Sequence, residues 1–315
     1  MKKILLPLLL LAGFFTNAQT IQKYYNWKWE ICEPGLARFL GIIKLTDSGW
    51  LRSDYYLSTK KLQMRGLYQD SACKSRNGFF TYYYSNGNIS SKGKYINNNR
   101  DGIWLSFHNN GMMQDSSVYE MGNLTGTSLA WFSNGYIADS CVYNKEGYGI
   151  RIYWFDDGTP SVAGRSLNNK KQGKWQYFHK NGKLASLEEY EQGKLLNKTY
   201  YDESGKQLAD TTDHDRGTEF KGGPEKWQKY LLKNLVWPAH VKLVNTDIVT
   251  VVVVALVDED GNIKEAYVDI PFAAEFDNEA LRVIKRSPKW EPAISHNRRL
   301  QMYIRQSISF SQQEE

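Results

Sequence analysis

The chain has 315 residues, room for two domains, and a formal net charge of +6 from 40 basic and 34 acidic side chains. So modest a basic excess speaks against nucleic acid as a partner and points at most to acidic polymers. The five histidines (His108, His179, His214, His240, His296) show no metal-ligand spacing. No Gly-rich phosphate loop or nucleophile elbow is present, so no catalytic residue, cofactor or metal site is expected.

The first element is Met1-Lys2-Lys3, an apolar stretch from Ile4 to Phe15, and then Thr16-Asn17-Ala18-Gln19. A basic start, a short apolar core and small residues predict a secretory signal peptide over residues 1–18, cleaved after Ala18. About 12 apolar residues interrupted by Pro7 fall short of the roughly 20 that span a bilayer. No cysteine stands at the cleavage point to carry a lipid anchor. The expectation is an exported protein of the periplasm or cell surface with no membrane span after cleavage. In that oxidising compartment Cys32 and Cys73, which flank an N-terminal cap over residues 19–77, are the expected disulfide pair. Cys141 lies further on and is read as a buried thiol.

From Gly78 a repeat takes over. Gly78, Gly102, Gly126, Gly149 and Gly173 are 24, 24, 23 and 24 residues apart. Nine residues after each comes a turn dipeptide: Asn86-Gly87, Asn110-Gly111, Asn134-Gly135, Asp157-Gly158 and Asn181-Gly182, with a worn copy at Ser204-Gly205. Asn-Gly between aromatic and branched residues predicts a hairpin closed by a type I′ turn. Each copy is thus one hairpin, stacked on its neighbours because a lone hairpin is marginal in water. Strand alternation puts the first, third and fifth residues after the glycine on one face. That face would bury Tyr83, Phe107, Trp131, Trp154 and Phe178. A second column follows the turns: Tyr95, Tyr119, Tyr143 and Tyr190, broken by Ser166. Such ladders can bind glycans or peptides, but packing of a single-layer sheet is the favoured reading. Tyr55, Leu62 and Tyr68 match Tyr82, Ile89 and Tyr95 at a constant offset, so a degenerate copy precedes the array, with Lys60 in place of the turn glycine. Leading Gly, aromatic strand, Asn-Gly and returning Tyr together resemble the variant MORN repeat of bacteria over roughly residues 54–210. The resemblance implies an extended, curved β-sheet that offers surface to partners and no catalysis. The antitoxin-like label sometimes given to such repeats finds no supporting residue here.

The period stops before Phe220. Gly222-Gly223-Pro224 opens a helix with proline at its start, and Trp227, Tyr230, Leu231 and Leu235 continue it to Trp237-Pro238. Ile248 to Val257 reads as a buried strand, the acidic triplet Asp258-Glu259-Asp260 with Gly261 as a solvated turn, and Ile263 to Ile270 as a second strand. A second helix is predicted from about Asp277, a good cap, to Ser287-Pro288. The last strand alternates, with Leu300, Met302, Ile304, Ile308 and Phe310 inward and Gln301, Tyr303, Arg305, Ser307 and Ser309 outward.

This order resembles the C-terminal domain of TonB-type proteins over residues 217–311. Phe220-Lys221-Gly222-Gly223, Asn234-Leu235, Pro238, the valine run, Asp260-Gly261, Asp277-Asn278-Glu279-Ala280-Leu281 and Pro288-Lys289-Trp290-Glu291-Pro292 carry the resemblance. It implies a periplasmic domain that pairs an edge strand with the extended segment of an outer-membrane receptor. Leu300–Phe310 is the matching strand, and Gln301, Tyr303, Arg305, Ser307 and Ser309 are its expected partner-binding residues. A transducer of that family also needs an uncleaved anchor and a proline-rich spacer, whereas this chain has eight prolines, none clustered. The fold class expected is a mainly β array of stacked hairpins over residues 78–214, then a small α+β domain over 215–315 with a core of its own. The expected function is a non-catalytic envelope protein that binds another protein. A structural or surface-adhesive repeat protein is the alternative, and the sequence leaves the oligomeric state open.

Overall fold

The computed structural model describes residues 20–144, 146–244 and 246–312. The expected signal peptide lies outside the described residues. Fifteen strands make one sheet: β1 (Thr20–Tyr25), β2 (Phe39–Thr46), β3 (Gly49–Tyr56), β4 (Leu62–Tyr68), β5 (Arg76–Tyr83), β6 (Ile89–Ile96), β7 (Asn99–Phe107), β8 (Met113–Glu120), β9 (Asn123–Trp131), β10 (Ile137–Tyr143), β11 (Tyr148–Trp154), β12 (Pro160–Leu167), β13 (Lys170–Phe178), β14 (Leu184–Glu191) and β15 (Lys194–Tyr200). Each pairs with its sequence neighbour, so the sheet is an uninterrupted meander of hairpins. It begins two strands before the degenerate copy, which is itself the hairpin β3–β4. There Lys60 adopts the left-handed φ of 58° that glycine takes in later copies.

The Asn-Gly turns are of another type than expected. Only the glycines, Gly87 through Gly205, have positive φ, between 80° and 93°, while the asparagines before them do not. In the first full copy the Gly87 N–H donates to the Tyr84 carbonyl at 2.9 Å and the Tyr84 N–H to Asn88 at 2.8 Å. This is a three-residue loop with glycine in the left-handed position. Asparagine is selected by its side chain. Asn86 Oδ1 accepts the Asn88 N–H at 2.9 Å, and its Nδ2 donates to the Asn109 carbonyl of the next turn at 2.9 Å. Asn110, Asn134 and Asn181 repeat the outward bond at 2.8–2.9 Å. An amide ladder therefore runs along this rim of the sheet. Two-residue turns with both φ positive occur at the opposite rim, at Asn97-Asn98 and Asn168-Asn169.

The buried face is also the other one. Phe79, Ile103 and Ile150, expected inside, are 76%, 63% and 60% exposed. Tyr83, Phe107, Trp131, Trp154 and Phe178 are only half-buried. The packed residues stand two after the glycine: Phe80, Trp104 and Trp175, with Tyr95, Tyr143 and Tyr190 beside them. Close approach sets this phase. The rings of Phe80, Trp104 and Trp175 lie on Gly66, Gly93 and Gly164, where an added Cβ would come within 2.2–2.3 Å of them. Pairing also slips by one residue just before Tyr83, Phe107, Trp154 and Phe178. Such a bulge turns the following side chain away from strict alternation.

The expected Cys32–Cys73 bridge is not formed; both thiols are free, as is buried Cys141. Cys32 sits by Glu33 and Arg38, whereas Cys73 sits by Arg52, Asp70 and Lys23. The two thiols thus sit among different charged groups.

The C-terminal region contains α1 (Gly223–Asn234), β16 (Ile248–Val257), β17 (Ile263–Ile270), α2 (Ala274–Lys285), β18 (Ala293–Ser295), β19 (Arg298–Leu300) and β20 (Met302–Ser311). β16 is the centre of an antiparallel sheet ordered β17–β16–β20. Val249, Val251 and Val253 of β16 pack with Phe276, Ala280 and Ile284 of α2 and with Ile308 of β20. Helix α2 starts three residues before Asp277. The Asp277 carboxylate, one turn inside, accepts the Phe272 N–H at 2.9 Å. The other face of β16 meets the array: Val252 and Ile270 share a buried cluster with Tyr25, Phe39 and Tyr56. The two regions thus have packing in common, which the change of sequence grammar near residue 215 did not suggest.

Candidate partner-binding edge

The separated motifs of the C-terminal region converge on one another. Gly261, at φ 85°, has no room for a side chain because a Cβ would stand 2.1 Å from the Trp290 carbonyl oxygen. The Trp290 N–H donates to the Gly261 carbonyl at 2.8 Å. The Trp290 ring then packs on Phe220 and Trp227 at 5.3 and 5.2 Å. Residues scattered over seventy positions thereby lock the connector after α2, which sets where the last strand begins.

β20 pairs with β16 along its whole length, from Met302 opposite Val257 to Ser311 opposite Ile248. Among the described residues its other edge makes no backbone hydrogen bond. Its inward side chains hold it against the core. Ile304, Ile308 and Phe310 are buried, and Phe310 meets Phe276 edge-on at 5.0 Å. Met302 is 43% exposed and departs from the expected alternation.

The outward side chains are exposed but engaged. The Tyr303 phenol donates to the Glu265 carboxylate, and burial together with that bond pushes its pKa up. Arg305 Nε donates to Asp269 Oδ2 at 2.9 Å. Ser309 Oγ lies 3.0 Å from Thr250 Oγ1. Ser307 has no such tie among the described residues. These contacts run across the sheet, so the side chains are tied back over it and the main-chain edge of β20 is what stays open.

Gln301 is not on this strand. Leu300 belongs to β19, which pairs with β18, and Gln301 is the break between β19 and β20, with a buried Oε1. It lines a cavity against the array. His108 and His179 are buried in the array. Both are 8% exposed, and their Nε2 atoms lie 2.8 and 3.0 Å from the carbonyl oxygens of Trp131 and Tyr201 in the next hairpin. Tyr84 occupies the same place one copy earlier and bonds Phe107 O at 2.8 Å. A polar ring recurring six residues after the leading glycine was the signal for this ladder.

Among the described residues no helix is long and apolar enough to cross a membrane. A comparison with curated proteins returned no match. Residues 249–311, from β16 through β20, match the family model described as Gram-negative bacterial TonB protein C-terminal, an envelope family, and the similarity points to a transport-related role in protein interaction.

Proposed function

We propose that this is a non-catalytic, exported envelope protein that binds an outer-membrane receptor or another envelope protein by strand addition to β20. The free main-chain edge, in the part of the chain that matches the envelope family, carries this reading. An open edge is a template for pairing unless something blunts it. β20 contains no proline and no lysine, and its side chains fold back over the sheet. The hairpin array, of the variant MORN type, is the platform that presents it.

The test uses the secreted chain, residues 19–315, as bait for envelope extract. In an antiparallel strand, neighbouring N–H groups point to opposite edges. One of Gln306→Pro and Ser307→Pro therefore removes a donor from the free edge only, and thermal melting identifies it. That variant should stay folded and lose capture. Capture that survives in it contradicts strand addition. A second reading, a surface-adhesive repeat protein, draws on the exposed Phe79, Ile103 and Ile150; recovery of no partner by wild-type bait would favour it.

A further inference from the structure

The hairpin β18–β19 is driven into the array. His296 and Asn297 at its tip both have left-handed φ, 53° and 62°. The His296 ring stacks on Tyr177 at 3.8 Å, and its Nδ1 lies 2.7 Å from Glu188 Oε1. Asn297 Nδ2 donates to the Tyr201 carbonyl at 2.9 Å. Beside this tip a cavity of about 470 Å³ opens between the hairpin and the sheet. That is within the ~300–1,000 Å³ of small-molecule sites.

Arg298 lines the cavity and is 7% exposed. Its Nη1 donates to Ser161 O at 2.5 Å, Ser161 Oγ at 2.6 Å and Phe178 O at 3.3 Å. All three acceptors are neutral. Its Nε has no partner among the described residues, and burial lowers the guanidinium pKa to about 10. Lys171, on the same cavity, donates to the phenols of Tyr177 at 2.5 Å and Tyr190 at 3.2 Å. The carboxylates on the wall are already engaged, Asp139 by Arg151 and Glu259 by Lys180. The remaining wall is aromatic, notably Tyr153, Trp154 and Phe155. A buried guanidinium and a half-buried ammonium, both hydrogen-bonded to neutral partners beside aromatic rings, make a site for an anion that carries an apolar face.

We propose that this cavity binds a small carboxylate whose ring body has an apolar face, the acid drawn to the guanidinium of Arg298 and the ring lying on the aromatic wall. A planar two-oxygen acid suits a planar guanidinium in a way a point cation cannot reproduce. Aromatic acids and uronic acids share this chemistry.

Titration calorimetry on the secreted full chain tests it, with 2-naphthoate and D-glucuronate as acids, and neutral 2-naphthamide and inorganic phosphate as controls. At least one acid should bind, and the amide and phosphate should bind about tenfold or more weakly. Which acid binds separates the two sources. Arg298→Lys, which keeps the charge and loses the fork, should weaken the acid about tenfold or more. Because Arg298 also anchors the hairpin, Trp154→Ala serves as the second variant, since it touches none of the hairpin's polar contacts. It should weaken the acid severalfold with an unchanged circular dichroism melt. Neither acid binding at millimolar concentration, the amide or phosphate binding as well as the acid, or undiminished binding by folded Trp154→Ala would each overturn the proposal. None of these results bears on the β20 edge, which lies on a different strand face.

Discussion

At Gly93 a hydrogen in place of a methyl is a packing requirement, because an added Cβ would stand 2.3 Å from the Trp104 ring. Gly102, at the head of the next copy, has open space around its Cβ position and a φ of 70°. The two glycines therefore fail differently. Gly93→Ala should cost about 1–3 kcal/mol by overpacking, and Gly102→Ala should cost roughly 1 kcal/mol or somewhat more by backbone strain alone. Urea unfolding of both variants checks the order. The sequence showed both sets of glycines, but only the evenly spaced one was taken as the frame. The glycine on the return strand, at Gly66, Gly93 and Gly164, is what chooses the buried face there, and a period alone cannot choose one. Asp277 gives a pH test at the same scale. Burial raises its pKa to about 6, against the bonds and charge that lower it. A raised carboxyl holds its proton better folded than unfolded, so its contribution to stability is greatest at low pH and is lost as pH rises from about 4 through about 6. Asp277→Asn, which keeps an acceptor for Phe272, should flatten that part of the stability–pH curve; an unchanged slope would show that another group sets it.

The turns show how an element can be read correctly in place and wrongly in kind. Asn-Gly marked every hairpin, yet the reason for asparagine is its bond to the neighbouring turn, a contact invisible within one copy. Asn110→Asp keeps the acceptor for Met112 and removes the donor to the Ser133 carbonyl. It should destabilise the array by about 0.5–1.5 kcal/mol, measured by chemical denaturation. No loss would mean that the ladder contributes nothing. In the C-terminal region β16 and β17 were legible to the residue because their hydrophobic runs are local and bounded by turn residues. Hairpin β18–β19 was not, since its tip lacks glycine. Its left-handed residues are held by Tyr177, Glu188 and Tyr201, more than ninety positions away.

For the whole molecule, the shared cluster of Tyr25, Phe39, Tyr56, Val252 and Ile270 ties the start of the array to the C-terminal sheet. Thermal unfolding followed by both far-ultraviolet dichroism and tryptophan fluorescence should then give one coincident transition. Two resolved transitions would restore separate cores on either side of residue 215. A second tie is Glu188. Burial raises its pKa, but bonds from His296, Tyr190 and Ser186 outweigh this and hold it below the ordinary value. A depressed carboxyl stabilises the fold above its unfolded pKa, so this tie should weaken as pH falls below the ordinary glutamate range. The ties fix the C-terminal sheet and the β18–β19 hairpin to the array, while among the described residues the far edge of β20 stays unpaired. The most direct measurement of that edge's role is amide hydrogen exchange on the bait with its captured envelope partner bound. Strand addition predicts new protection at alternate residues of Met302–Ser311, with β16 unchanged. Protection confined to the hairpin array, with β20 exchanging as in the free protein, would contradict it.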